Sequence, residues 1–478
     1  MQAMKKPSKI EKAAPQGKSG GGAITSRQVP RSQQSEIGNV DRDPVELLKL
    51  NSADRVERLV PLRYGRMLAS PFAFFRGSAI IQAHDLAGTP DSGLAFQICG
   101  DCHLANFGGF ATPERRLLFD LNDFDETSEA PWEWDIKRLV VSFVLAARNL
   151  GFKEKQAEEL VYAVSHSYQT RMQAYAEMSI LETWYEQITL ERVLAESTEP
   201  EVQRRVRRAM ERAATRTHES LLPKLTRRDG DRLIILDAPP AVFHIQGEQT
   251  LFSPDDELLK LKNLEGARAA AFTEYLSTLA LDRRRLLGHF TFQDLAFKVV
   301  GVGSVGTRCV IMLMMDRHGK PLFLQFKEAS QSVIARYRGK RKNGHEGQRV
   351  VEGQRLMQAA SDPFLGWAKG PLGRHFYARQ LRDMKLSAQI ELMDADLLAR
   401  YGALCGWVLA RAHAKASGLA AEISEYFGRS DRMSDALIAY ATRYADQVEH
   451  DYDRFAAACR SGQLEARTDE DMAADFRI

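Results

Sequence analysis

Between Leu94 and Asp125 the chain twice runs a short apolar stretch directly into an acidic loop: L-A-F-Q-I-C leads to G-D-C-H-L-A-N, and R-L-L-F-D-L leads to N-D-F-D. Short apolar runs bounded by turn residues read as strands. Carboxylates avoid such an interior unless they are paired, so the two strands are expected to deliver Asp101, Asn106, Asp120, Asp123 and Asp125 to one site. A single Asp here would read as a turn cap; five polar residues at this spacing favour a site.

The first loop supports two chemistries. Cys99-x-x-Cys102-His103 has the spacing of c-type haem attachment and, without the histidine, of a redox dithiol. Read from Gly100 it is G-D-x-H-x-x-N, an Asp five positions before an Asn, as in a phosphotransferase catalytic loop. The five cysteines are odd in number, and Cys309, Cys405 and Cys459 stand alone, which is the usage of a reducing compartment. The basic N-terminus shows no apolar signal region, and no apolar run is long enough to span a bilayer. A cytoplasmic protein is expected, away from the oxidising compartment that haem attachment needs.

The weight therefore moves to Asp101 and Asn106. Phosphoryl transfer needs one carboxylate to orient the attacking group, plus an Asn and an Asp to hold magnesium against the phosphates. A second block supplies the nucleotide side. Gly301-x-Gly303-Ser304-x-Gly306 lies between two β runs, and Lys327 follows in L-F-L-Q-F-K-E-A after a turn at Asp316 to Lys320. Because these glycines open a hairpin and not a helix, they fit a kinase-type phosphate loop rather than a dinucleotide fold. Lys327 is expected to meet the α and β phosphates, oriented by a carboxylate from the next helix: Glu352, with Glu346 in reserve.

G-D-C-H-L-A-N, N-D-F-D and P-W-E-W-D together resemble the G-D-L-H-x-x-N, I-D-F-D and W-D-L-A motifs of aminoglycoside and choline phosphotransferases, in the protein-kinase-like superfamily. From S-P-F-A-F-F-R-G through D-L-N-D-F-D to R-Q-L-R-D-M-K the chain more closely resembles a bacterial family known as domain of unknown function 2252, which brings no established activity. The resemblance implies an α+β, helix-rich, two-lobed kinase-like fold that uses ATP and Mg2+. In it Asp101 is the catalytic Asp, Asn106 one magnesium ligand and Asp123 the second, with Asp120 competing; Asp125 is counted with the metal residues as well. Asp135 braces the catalytic loop, Gly301, Gly303, Ser304, Gly306 and Lys327 hold the phosphates, and H-F-Y-A-R-Q-L leads to the adenine hinge. There are two departures. Cys99 replaces the basic residue usual two positions before the Asp, and the glycine loop follows the catalytic loop instead of preceding it. The fold is therefore expected to be circularly permuted, which surface termini tolerate.

A chain of 478 residues exceeds one core of usual size. Residues 1–40, rich in Gly, Ser, Gln, Pro and Lys, read as a flexible basic tail, with order beginning at the Asp43 cap and Pro44. Residues 41–285 are expected to form the catalytic-loop region with helical insertions, including a helix after Pro131 with Ile136, Leu139, Val140, Phe143 and Val144 on its apolar face. Residues 286–385 form the β-rich glycine-loop and lysine region. Residues 386–478 form a helical region packing on the catalytic-loop lobe.

A net charge of +3 gives no general case for nucleic acid or membrane as a partner. The helix carrying Arg204, Arg205, Arg207, Arg208, Arg212 and Arg216 has interleaved glutamates and reads as a solvated face. The expected partners are a nucleotide and an acceptor, small molecule or protein, that no motif identifies. The basic run from Arg336, R-Y-R-G-K-R-K-N-G-H, is either an anion site or a flexible loop. Arg76 in F-F-R-G either pairs with the acidic site or staples its loop, and His413 reads as a core or helix-surface histidine. The leading expectation is an ATP- and Mg-dependent phosphotransferase, with nucleotidyl transfer open to the same scaffold. A nucleotide-binding pseudoenzyme and a metal-dependent hydrolase using Asp101, His103, Asp120 and Asp123 are the alternatives.

Overall fold

The computed structural model describes residues 29–476 apart from 197–198, 216–218, 231, 339–343 and 382–383. Arg216, the centre of the basic run after Arg338, and residues 1–28 of the expected tail lie outside the described residues. The rest of that tail is anchored: Arg31–Ser35 form a 3-10 turn, in which fully buried Gln34 donates to Tyr426 Oη (2.8 Å) and Arg31 Nε donates to Tyr426 O. Two polar contacts thus tie down a segment whose composition alone reads as loose.

Helix α1 (Pro44–Ser52) starts at the Asp43 cap, and α2 (Pro71–Gly77) starts at a Ser70 cap. Four short strands follow: β1 (Ala95–Ile98), β2 (Phe107–Ala111), β3 (Leu117–Leu121) and β4 (Ser128–Pro131). β1 pairs antiparallel with β4, and β2 with β3, so the loops after β1 and after β3 are brought side by side. Helix α3 (Glu133–Asn149) runs through the core, its apolar face at Ile136, Leu139, Val140, Phe143 and Val144 almost wholly removed from water. Next comes α4 (Glu154–Ala176). The arginine-rich helix, Pro200–Thr215, is a surface helix in which Glu201 pairs with Arg204 and Arg205 on exposed side chains.

The second β-rich block is a six-stranded antiparallel sheet. In chain order its strands are β5 (Val242–Phe243), β6 (Phe290–Lys298), β7 (Cys309–Asp316), β8 (Pro321–Glu328), β9 (Gly366–Lys369) and β10 (His375–Gln380); in space they run β9-β10-β8-β7-β6-β5. Alternation along β8 sends Phe323, Gln325 and Lys327 to one face and Leu322, Leu324 and Phe326 to the other. The second face is covered by α5 (Leu264–Ser277), whose Tyr275 packs there with Leu279 and donates from Oη to Phe364 O. Leu221 and Ile235 pack against the first face. Residues from about 221 onward, ahead of the expected boundary at 286, thus pack on this sheet. A sheet apolar on both faces needs cover on both, and this one takes it from the segment that precedes it.

Among the described residues two helices separate β8 from β9: α6 (Val333–Arg338) and α7 (Glu346–Met357). After β10 the chain reaches β11 (Leu386–Ser387), which pairs with β2 and so links the sheet to the β2–β3 hairpin. The C-terminal helices α8 (Ala395–Ser417) and α9 (Arg432–Arg460) pack on α3 and α4 to complete the larger core. The architecture is α+β, and no helix among the described residues is long and apolar enough to cross a membrane.

Candidate functional site

A cleft of about 430 Å3 draws its lining from both halves of the chain: Asp101, His103, Asn106, Asp123 and Asp125 from the β1–β4 loops, and Gly301, Gly303, Ser304 and Lys327 from the sheet.

The loop after β1 is held by its backbone. The Asp135 carboxylate, on the first turn of α3, accepts from Cys99 N (2.7 Å) and Gly100 N (2.8 Å) and also contacts His413 Nε2 (3.2 Å). Gly100 has φ +86°, and a Cβ there would lie 2.2 Å from Glu126 O, so the turn that aims Asp101 requires glycine. Arg138, one helical turn after Asp135, donates from Nε to Asp101 Oδ1 (2.5 Å) while its other nitrogens reach Phe75 O and Gln82 Oε1. Asn106 Nδ2 donates to Asp101 O (2.7 Å), which turns the amide so that its oxygen is left to accept or coordinate. His103 caps its own turn through Nδ1; burial, and then the charges of Arg76 and Arg138, hold it well below its ordinary value and so neutral.

The loop after β3 divides its acidic residues among three environments. Asp120 points away from the cleft: its side chain and that of Arg411 are both 1% exposed and form an ion pair (2.6 Å), and its second oxygen accepts from Ala359 N. Asp120 is thus a core residue and drops out as a catalytic or metal candidate, because a strand carboxylate facing inward found a buried arginine. Asp123 does line the cleft, accepts from Asp125 N, and has no ion pair among the described residues. Burial and the neighbouring Asp125 push its carboxyl above the ordinary range. Asp125 is paired with Lys327, accepts from Tyr377 Oη (2.7 Å) and lies 3.3 Å from Ser304 Oγ. Burial works against its charge, but Lys327 and Tyr377 prevail and hold it below the ordinary range.

The carboxylate that orients Lys327 is therefore Asp125, not Glu352; Glu352 accepts from Gln348 within α7, and Glu346 pairs with Arg349. Gly301, Gly303 and Ser304 border the cleft. Gly306 instead turns toward the N-terminal helices, with φ +85° and its carbonyl accepting from Val56 N (2.8 Å).

The alternative chemistry of the first loop finds no footing. Cys99 and Cys102 are fully buried. The Cys102 contact works downward on the Cys99 thiol, yet burial and nearby carboxylates push it up to about 11, and burial raises Cys102 well above its ordinary value. Such thiols are poor nucleophiles and poor ligands. Sequence reasoning missed Arg138, Tyr377 and Glu126. Arg138 had a signal, its i,i+3 spacing from Asp135 on one helix face; Tyr377 reads as an ordinary strand residue. Glu126 lines the cleft, and burial raises it to about 7.

Among the described residues no three His, Cys, Asp or Glu side chains are grouped to hold a metal by themselves. Magnesium does not ask for such a cage, since it takes one or two protein oxygens and completes its shell with phosphates and water. The Asp123 carboxylate, without an ion pair among the described residues, and the oriented Asn106 oxygen fit that demand.

The family described as an uncharacterized protein conserved in bacteria, domain of unknown function 2252, matches residues 55–458, and the chain belongs to it. No curated protein and no solved structure matches the chain.

Proposed function

We propose that this family member is a magnesium-dependent phosphotransferase that uses ATP, built on a circularly permuted kinase-like fold. The observation that carries the reading is the meeting, in one cleft, of Asp101, Asn106 and Asp123 with Lys327 and a glycine loop from the other half of the sequence. The element order supports it: a glycine loop between the first two long strands, the lysine on the third, and a helix after it, as in kinases.

In this reading Arg138 holds Asp101 so that its carboxylate orients the acceptor hydroxyl and takes its proton. Asn106 and Asp123 would hold magnesium, which would neutralise the charge of the phosphates. Lys327, kept charged by Asp125, meets the nucleotide phosphates, while Gly301 and Gly303 let backbone N–H groups approach them. The withdrawal of Asp120 into the core removes one residue that a hydrolase without nucleotide would use.

The test is thermal stabilisation by ATP with and without magnesium, for the wild type, Lys327→Ala and Asp123→Asn, beside transfer of radiolabelled γ-phosphate. Stabilisation that needs magnesium and disappears in both variants is expected. No response to ATP overturns the proposal, and binding without turnover replaces it with a nucleotide-binding regulator.

A further inference from the structure

Two arginines in the cleft, Arg76 and Arg336, have no hydrogen bond or ion pair among the described residues. Arg76, at the end of α2, forms no hydrogen bond or ion pair among the described residues; its Nε is buried without a partner, and its Cζ lies 5.8 Å from the Phe72 ring. The exposed Arg336, on α6, lines the same cleft and likewise has no ion pair among the described residues. The other cations of the cleft are engaged. Lys327 belongs to Asp125, Arg379 donates to Gln325 and to Asn122 O, and Arg55 donates to Val305 O and Asn51 O.

Both arginines line the cleft that Asp101 lines. Arg138, which grips the Asp101 carboxylate, also donates to Phe75 O (2.7 Å), and this fixes the residue before Arg76 against the catalytic loop. Helix α6 abuts the same loop from another side: Val333 N donates to Glu126 Oε2 (2.7 Å), and a Cβ on Gly100 would lie 3.1 Å from Ile334 Cγ1. Burial draws the Arg76 guanidinium below its ordinary value, with Asp101, Glu391 and Asp123 opposing that only in part. A bound anion would supply the missing counter-charge.

We infer that the acceptor is itself an anion, a small hydroxyl compound whose phosphate or carboxylate group is held by Arg76 and Arg336 while its hydroxyl meets Asp101. The inference rests on the phosphotransferase reading. A guanidinium presents parallel N–H groups that match either oxyanion. In the transfer, the acceptor oxygen bonds to the γ-phosphorus, the bond to the bridging oxygen breaks, ADP leaves with the electron pair, and the hydroxyl proton passes to Asp101. Cationic acceptors such as aminoglycosides and choline, used by the enzymes whose catalytic loop this one resembles, would meet two unanswered positive charges in a partly desolvated site.

The experiment loads the full-length protein with magnesium and a non-hydrolysable ATP analogue, then titrates glycerol 3-phosphate, glycerate, glycerol and choline while following thermal stability. One or both anions should stabilise the protein; glycerol and choline should not, and the preferred anion tells phosphate from carboxylate. Arg76→Gln and the surface variant Arg336→Gln should each weaken the anion response by about tenfold, the scale of one charge-assisted hydrogen bond, and keep the response to the analogue. Stabilisation by choline, no response to either anion, or an unchanged response in both variants overturns the inference. Failure of the wild type to respond to the analogue overturns instead the reading on which it rests.

Discussion

Lys327 on β8 and Asp125 after β3 stand 202 residues apart in the chain and form an ion pair at the floor of the cleft, with Tyr377 Oη on the second oxygen of the carboxylate. The Lys327 side chain is 5% exposed and that of Asp125 is 25% exposed. Removing one member of a buried pair strands the other. Lys327→Met should therefore lower the free energy of unfolding in urea by about 3 kcal/mol, the low end for such pairs because Asp125 keeps some contact with water.

Asp120 and Asp123, three residues apart, should separate cleanly by mutation. Arg411→Met leaves the Asp120 carboxylate uncompensated in the core and should cost about 4 kcal/mol, without abolishing magnesium-dependent stabilisation by ATP. Asp123→Asn should do the reverse. Since burial and Asp125 make its charged form unfavourable in the folded state, the variant should melt higher than wild type at neutral pH without ligand, and its magnesium response should be lost. Melting curves with and without magnesium and ATP check both halves.

Asp135→Ala removes the acceptor for two buried N–H groups and for His413. The cost should be on the order of 3 kcal/mol, as for hydrogen bonds to a charged group that are broken with their donors left buried. Phosphoryl transfer should fall further than stability does, because the loop aiming Asp101 loses its brace; calorimetry and the transfer assay on one preparation compare the two.

Glu126 gives a pH signature. Its carboxyl is about 7 in the folded protein, raised by burial from an ordinary 4.5. Between those values the folded state holds a proton that the unfolded state has released, so this group makes stability fall as pH rises from 4.5 toward 7, with no further loss above. Glu126→Gln removes the effect. The melting temperature of the variant minus that of wild type should grow across that window and then level off, and a difference that shrinks with rising pH refutes the assignment.

The local features were legible because their causes are local. The apolar runs around Phe96 and Phe119, the Asp43 cap, the glycine loop opening a hairpin and the periodic face of α3 are each set by neighbours a few residues away. The Asp135 brace was legible only through resemblance. The tail was misjudged at Gln34, whose amide is ordered by Tyr426, a residue 392 positions distant.

By itself, then, the sequence determined which segments are strands, helices and acidic loops, and that Asp101, Asn106, Asp123 and Lys327 are chemically suited to one task. Tertiary structure decided how the charges are shared out: Asp120 to Arg411, Asp125 to Lys327, Asp101 to Arg138, and no ion pair among the described residues for Asp123 or Arg76. Spacing along a chain limits where a carboxylate can go. Whether it becomes a core ion pair or a ligand at a cleft depends on burial and on which cation the fold brings within a few ångströms, and those partners lie up to 291 residues away.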